Sequence, residues 1–256
     1  ELTAHVKAVL ARAGASRSTP TERARLIGFI GSRGGMGLTT LAVNVAVGLT
    51  RGGDDVILAD LTPGKGSLGL MLGFTNPTGL TTLLKKRQDE ITARAVEGQL
   101  VAHGSGIRLL LSSYAPSDTH LIEATAQVEA VVRQLAGMCK VLMLDLGAGL
   151  PEAIKRVAGR CDQLVLATEP NRIVVAQTEA FLSDLEALGV GQARVDLVLM
   201  NRTRSSLQLT VGQIEQKLNR KVMGVISPAP ELAYQAAEAG APMVVLQPDS
   251  MTADQF

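Results

Sequence analysis

GSRGGMGLTT, residues 31–40, joins an apolar run, LIGFI (26–30), to a second one, LAVNVAVGL (41–49). The first run is short, continuous and closed by glycine, as a buried strand is. The second has helical periodicity and stops at Gly52-Gly53. A glycine-rich turn between a buried strand and a helix can aim successive backbone N–H groups at an anion, and the helix adds its positive end. Gly34, Gly35 and Gly37 supply the backbone freedom. Thr39 stands where its hydroxyl meets Mg²⁺ in phosphate loops. The strict GxxxxGK[ST] pattern nevertheless fails twice, with Ser32 at the first glycine and Leu38 at the lysine. Two other readings stand beside it. Gly31-x-x-x-Gly35-x-Gly37, with Asp60 closing the next strand, matches the dinucleotide turn of short-chain dehydrogenases. The tyrosines, however, are followed at +4 by Asp118 and Glu238, not by the lysine that chemistry needs. The third reading is a purely structural turn.

Outward from this loop, strand-like and helix-like segments alternate. Further strands are predicted at 55–60, 106–111, 140–145, 162–168, 193–200, 221–226 and 242–246. Helices are predicted at 39–51, 119–136, 151–159, 171–188, 207–218 and 231–239. Alternation of this kind predicts an α/β fold: a three-layer, doubly wound, mostly parallel sheet with helices on both faces. Ligands bind such sheets beyond the carboxyl ends of the strands. That directs attention to residues 31–40, 60–67, 145–149, 168–171 and 201–202.

Composition agrees with such a fold. Of the 256 residues, 46% are hydrophobic but only 2% are aromatic, so the core is aliphatic, as buried parallel strands require. A net charge of +1 creates no demand for nucleic acid or an anionic membrane. No apolar run reaches the length of a membrane span, and no secretory signal opens the chain, so a cytoplasmic protein is expected. Cys139 and Cys161 have no metal spacing and read as buried free thiols. His5, His103 and His120 form no pattern. Lys85-Lys86-Arg87 reads as a solvated face.

SRGGMGLTT resembles the deviant phosphate loop of the MinD/ParA family of P-loop ATPases, KGGxGKT[ST]. Arg33 falls on that family's signature lysine and Leu38 on its second lysine, while Thr39 is kept. Four later stretches are similar to the family in the same order. VILADLTPGKGSLGLMLG (56–73) resembles its second strand and switch I. VLMLDLGAGL (141–150) resembles the Walker B strand and switch II. LVLATEPN (164–171) is followed by LVLMNR (197–202), whose Asn contacts adenine in the family. The segment from 222 to 250 resembles its close. The resemblance implies bound ATP or ADP with Mg²⁺. It implies a nucleotide cradle of Ser32, Arg33, Gly34, Gly35, Met36, Gly37, Leu38, Thr39 and Thr40, with Asn201 and Arg202 at the base. Thr39, Asp60 and Asp145 are implied at the metal, and Arg33, Asp60 and Asp145 in catalysis. It also implies a homodimer closed around nucleotide.

Within that family the chain is most similar to the CpaE/TadZ branch, linked to pilus assembly and polar localisation, whose loops lack the second lysine. ELTAHVKAVLARAG resembles the last helix of a response-regulator receiver domain. The expected organisation is therefore a receiver-like helix (1–13), a linker (14–24) and a nucleotide-binding domain (25–256). Pilus-assembly or polar proteins are the expected partners, with polar or peripheral membrane association through them. Two departures matter. Leu38 removes an ammonium, and Thr62 stands where switch I carries its second acid. The resemblance then implies nucleotide binding with weak or absent hydrolysis. An active ParA-like switch is the alternative.

Overall fold

The computed structural model describes residues 2–4, 6–8, 23–203 and 205–256. Its centre is β1 (Arg25–Gly31), followed by the glycine loop and α1 (Leu38–Arg51). Next come β2 (Val56–Asp60), α2 (Leu68–Met71), α3 (Gly79–Leu84), α4 (Ala93–Glu97), β3 (Leu100–Ala102) and β4 (Arg108–Leu110). The chain continues through α5 (Thr125–Leu135), β5 (Val141–Ala148), α6 (Glu152–Arg160), β6 (Gln163–Thr168), α7 (Arg172–Ala187) and β7 (Val195–Met200). It closes with α8 (Val211–Leu218), β8 (Val222–Ile226), α9 (Pro230–Glu238), α10 (Met243–Leu246) and α11 (Met251–Gln255).

The strands form one eight-stranded sheet in the order β3-β4-β2-β5-β1-β6-β7-β8. All neighbours are parallel except β3 and β4. Period-two alternation divides the core. Leu26, Ile30 and Ile57 face α5, α6 and α7, whereas Ile27, Phe29 and Leu58 face α1 and α9. Both faces of β1 and β2 are thus covered, which is why those strands are continuous apolar runs. The expected three-layer, mostly parallel architecture is what the chain adopts.

Three expectations need correction. PMVVL (242–246) does not form a strand: Pro242 caps the short helix α10. Its backbone polar groups find partners on α1, where Asn44 Oδ1 accepts from the Val244 N–H at 3.0 Å and Arg51 donates to the Val244 carbonyl at 2.9 Å. The helix expected over 119–136 begins as a 3₁₀ turn (Pro116–Glu123) and becomes α-helical only at Thr125. The helix expected from 207 starts at Val211, where Thr210 and Gln213 form a capping box. In addition, the edge strand β3 pairs antiparallel with β4.

At the start of the chain, residues 2–4 and 6–8 are helical. Leu2 and Val6 are buried in the core layer containing α1. Thr3 donates to the carbonyl of Phe256 through both its N–H and its hydroxyl. The rest of the proposed receiver-like helix, and the linker apart from Arg23 and Ala24, lie outside the described residues. Arg23 pairs with Asp162 at 3.0 Å. No helix among the described residues is long and apolar enough to cross a membrane.

Candidate functional site: a glycine loop above two buried carboxylates

The loop after β1 is shaped by two left-handed glycines, Gly35 at φ 78° and Gly37 at φ 81°. Gly37 caps α1, and its carbonyl accepts the Leu41 N–H at 2.9 Å. A Cβ placed on Gly34 or Gly35 would meet no atom within 4 Å, so the space above the loop is open. On its inner side the loop is filled. Met36 folds back until its Cε lies 2.5 Å from where a Gly31 Cβ would stand. Leu38 packs on the core layer containing Met36 and Met200. The position of a phosphate-loop lysine is thus an apolar surface.

Beneath the loop, β2 and β5 run side by side with Asp60 opposite Asp145. Both carboxylates are buried, and neither has a basic partner among the described residues. Asp145 accepts from the Thr39 hydroxyl at 2.6 Å and from the Gly147 N–H at 3.0 Å. The Ser67 hydroxyl donates to Thr39 Oγ1 at 3.2 Å. Asp60 Oδ1 accepts from the N–H of Thr62 at 3.0 Å and from its hydroxyl. Asp60 Oδ2 has no hydrogen-bond partner. Burial, then the neighbouring Asp145 charge, pushes the Asp60 carboxyl up to about 7, against the pull of the Thr62 hydrogen bonds and of the nearby Leu68 N–H. Burial also raises Asp145, opposed by Thr39 and Gly147.

Two adjacent buried carboxylates, one with an orphaned oxygen, have the donor chemistry a cation would need. Among the described residues no three His, Cys, Asp or Glu side chains gather as a metal cluster. A cation here would therefore draw its remaining ligands from a hydroxyl, water and an anion, as Mg²⁺ does. Thr39 is the hydroxyl in reach. The residues fit Mg²⁺.

The loop and Asp145 face one cleft of about 580 Å³, lined by residues 33–40, Thr62, Lys65, Asp145, Gly147 and Arg202 among others. A second cleft of about 270 Å³, lined by Glu169, Asn171, Met200, Arg202 and Gln208 among others, shares Arg202 with the first. The Arg202 guanidinium donates to Glu169 at 2.7 Å.

The structure therefore brings Arg33, Gly34, Gly35, Met36, Gly37, Leu38, Thr39, Thr40, Asp145 and Arg202 to one cleft, with Asp60 just beneath. Ser32 turns aside to Thr178, with 3.4 Å between hydroxyl oxygens. Asn201 lines neither cleft: its Oδ1 accepts from Gln208 Nε2 at 3.0 Å, which steadies the loop bordering the second cleft. Lys65, Ser67, Gly147 and Glu169 also border the clefts or the carboxylates; they lie inside the strand-end stretches the sequence points to, which assign them no individual role. All four sit within a few residues of a strand's carboxyl end, which is the signal that points to them. Two residues of the basic cluster are already paired, Lys85 with Asp118 and Arg87 with Asp89. Tyr114 and Tyr234 are exposed and lie outside both clefts. Burial raises the thiols of Cys139 to about 11 and Cys161 to about 12, which leaves them neutral and inert at ordinary pH.

No protein-family model matches the chain. Among curated proteins it is 26% identical over 239 residues to an uncharacterized ATP-binding protein of Methanocaldococcus jannaschii, covering 91% of this chain and 85% of that one. It is 25% identical over 227 residues to a putative septum site-determining protein MinD of Guillardia theta, covering 87% of this chain and 81% of that one. Among solved structures, a ParA family ATPase from Chlorobium tepidum superposes with a TM-score of 0.81 at 19% identity, over 92% and 97% of the two chains. MinD of Pyrococcus horikoshii, solved with Mg-ADP, gives 0.73 at 23% identity, over 91% and 93%. This fold removes the dehydrogenase alternative. Along most of its length the chain is therefore similar in sequence to MinD-like and ATP-binding proteins, and it has the P-loop fold of the MinD/ParA structures.

Proposed function

We propose that the protein is a nucleotide-binding switch that holds ATP or ADP with Mg²⁺ and hydrolyses ATP very slowly. The observation that carries this reading is the buried Asp60–Asp145 pair, with Asp60 Oδ2 unpartnered, directly below an open glycine loop. Mg²⁺ would neutralise charge on the phosphates and on this pair. The backbone N–H groups of residues 34–39 and the positive end of α1 would cradle the phosphates. Thr39, oriented by Asp145 and Ser67, would offer its oxygen to the cation. Arg33, exposed at the loop, would contact phosphate in its own chain or across a dimer.

Two features support slow turnover. Leu38 offers no ammonium, and a charge-assisted hydrogen bond is worth about 1.5–3 kcal/mol. Thr62 directs its hydroxyl proton to Asp60 and has no carboxylate with which to take a proton from water near neutral pH. Phosphoryl transfer depends on positioning and charge neutralisation, so binding survives these losses better than catalysis does.

In the cell, we place the protein in the CpaE/TadZ branch. There it would act as a localisation or pilus-assembly factor, dimerising around nucleotide and joined to a receiver domain. The RGG loop without a second lysine supports this, as does the receiver-like sequence at residues 1–13. The alternative, an active partitioning-type ATPase, would turn over ATP at the ordinary rate of its relatives and shift DNA in a salt-dependent manner. Single-turnover hydrolysis of Mg-ATP with excess protein decides between them. Bound ATP that persists for many minutes supports the slow switch, and prompt conversion to ADP overturns it.

A further inference from the structure

The loop after β2 carries a cation aimed at the same cleft. Lys65 lies between Gly64 and Gly66, and both glycines are pressed against the segment that follows β4. A Cβ on Gly64 would stand 2.5 Å from the Thr119 nitrogen, and one on Gly66 would stand 2.3 Å from the Ser112 carbonyl oxygen. The Gly66 N–H donates to Ser113 at 3.0 Å. The loop backbone is therefore clamped at both glycines, which are buried, while Lys65 between them is exposed and lines the cleft. Its own N–H donates to the Thr62 carbonyl at 3.0 Å, and Thr62 is hydrogen-bonded in turn to Asp60. The loop is thus tied to the carboxylate pair.

Three cations line the main cleft: Arg33, Lys65 and Arg202. Arg202 is committed to Glu169. Lys65 has no carboxylate partner among the described residues, and it lines the same cleft as the open glycine loop. An unpaired ammonium lining the cleft that also holds the glycine loop and the apolar Leu38 can serve an anion bound there.

We propose that Lys65 replaces the missing loop lysine from the opposite wall, donating to the terminal phosphates of the bound nucleotide. This rests on the nucleotide-binding reading above. The replacement differs from a phosphate-loop lysine in one consequence. Because Lys65 rides on the loop anchored to Asp60, cation binding and phosphate gripping are mechanically linked, and the contact strengthens only when both are in place.

The test is calorimetric titration of Mg-ADP and Mg-ATP into the wild-type protein and the variants Lys65→Met, Lys65→Arg and Leu38→Lys/Lys65→Met. Thermal unfolding serves as the folding control, since Lys65 is exposed. Lys65→Met should weaken both nucleotides by about tenfold to a hundredfold. Lys65→Arg should stay within about threefold of wild type, and the double variant should recover most of the loss. Wild-type affinity in Lys65→Met, or no recovery in the double variant, overturns the proposal. If the wild-type protein itself binds no nucleotide, the nucleotide reading falls, and Lys65 falls with it.

Discussion

Replacing Asp60 by asparagine should stabilise the ligand-free protein at pH 8 while weakening its hold on Mg-nucleotide. Asp60 is fully buried beside Asp145, and its carboxyl is raised from 3.8 to about 7. In the folded state it therefore keeps its proton where the unfolded chain has lost it. For a raised carboxyl, the favourable contribution is complete below the unfolded value and is lost as pH climbs to the folded value. Stability should thus fall between about pH 4 and 7. At about 1.4 kcal/mol per unit, the part of that fall lying above pH 5 is about 3 kcal/mol. Asp145, raised by the same burial, adds in the same direction. Asp118 and Glu215 are lowered, so their stabilising contribution is fully present above about pH 5 and changes only below it. The window from pH 5 to 8 therefore isolates the buried pair. The substituted amide would keep an oxygen for the Thr62 N–H and offer its own N–H to Asp145. Urea unfolding at pH 5 and pH 8, without nucleotide, reads the effect. Wild type should lose about 3 kcal/mol across the window, Asp60→Asn should lose much less, and saturating Mg-nucleotide should abolish the wild-type loss. Wild-type stability that stays level or rises over this window would refute the claim that two uncompensated carboxylates lie under the loop.

Restoring both absent groups, as Leu38→Lys with Thr62→Asp, should raise nucleotide affinity by about tenfold or more and bring measurable turnover, read by titration and phosphate release. Gly147→Ala should destabilise the fold by about 1–3 kcal/mol in urea unfolding, because residue 147 sits at φ 68° and a Cβ there would lie 2.6 Å from Thr62 Cγ2. The same substitution should weaken Mg-nucleotide binding, since it displaces the Thr62–Asp60 contact. Unchanged stability would place the loop after β5 differently.

What the sequence makes legible here follows from local physics. Buried parallel strands are continuous apolar runs, so β1, β2, β5, β6 and β7 stand out. The residues just beyond them, from the glycine loop to Asp60 and Asp145, follow from the rule that ligands bind at strand ends. What escaped was decided by tertiary partners. PMVVL has strand composition, but Asn44 and Arg51 on α1 satisfy its backbone as a helix. The strand β3 is three residues long and exists only through its pairing with β4. Asn201 sits at the expected strand end, yet Gln208 seven residues later occupies its oxygen. Lys65 reads as an ordinary loop lysine until Thr119 and Ser112 are seen backing its neighbours. The contacts of PMVVL with α1 and of the Lys65 loop with Ser112 and Thr119 join distant parts of the chain, and no window of sequence contains them.

The central claim is that the loop still holds a nucleotide through Mg²⁺ despite Leu38. Titrating ATP into the wild-type protein with and without Mg²⁺ tests it most directly. The account predicts saturable binding with Mg²⁺ that weakens at least tenfold when the cation is chelated. No binding at millimolar ATP, or binding indifferent to Mg²⁺, would contradict it.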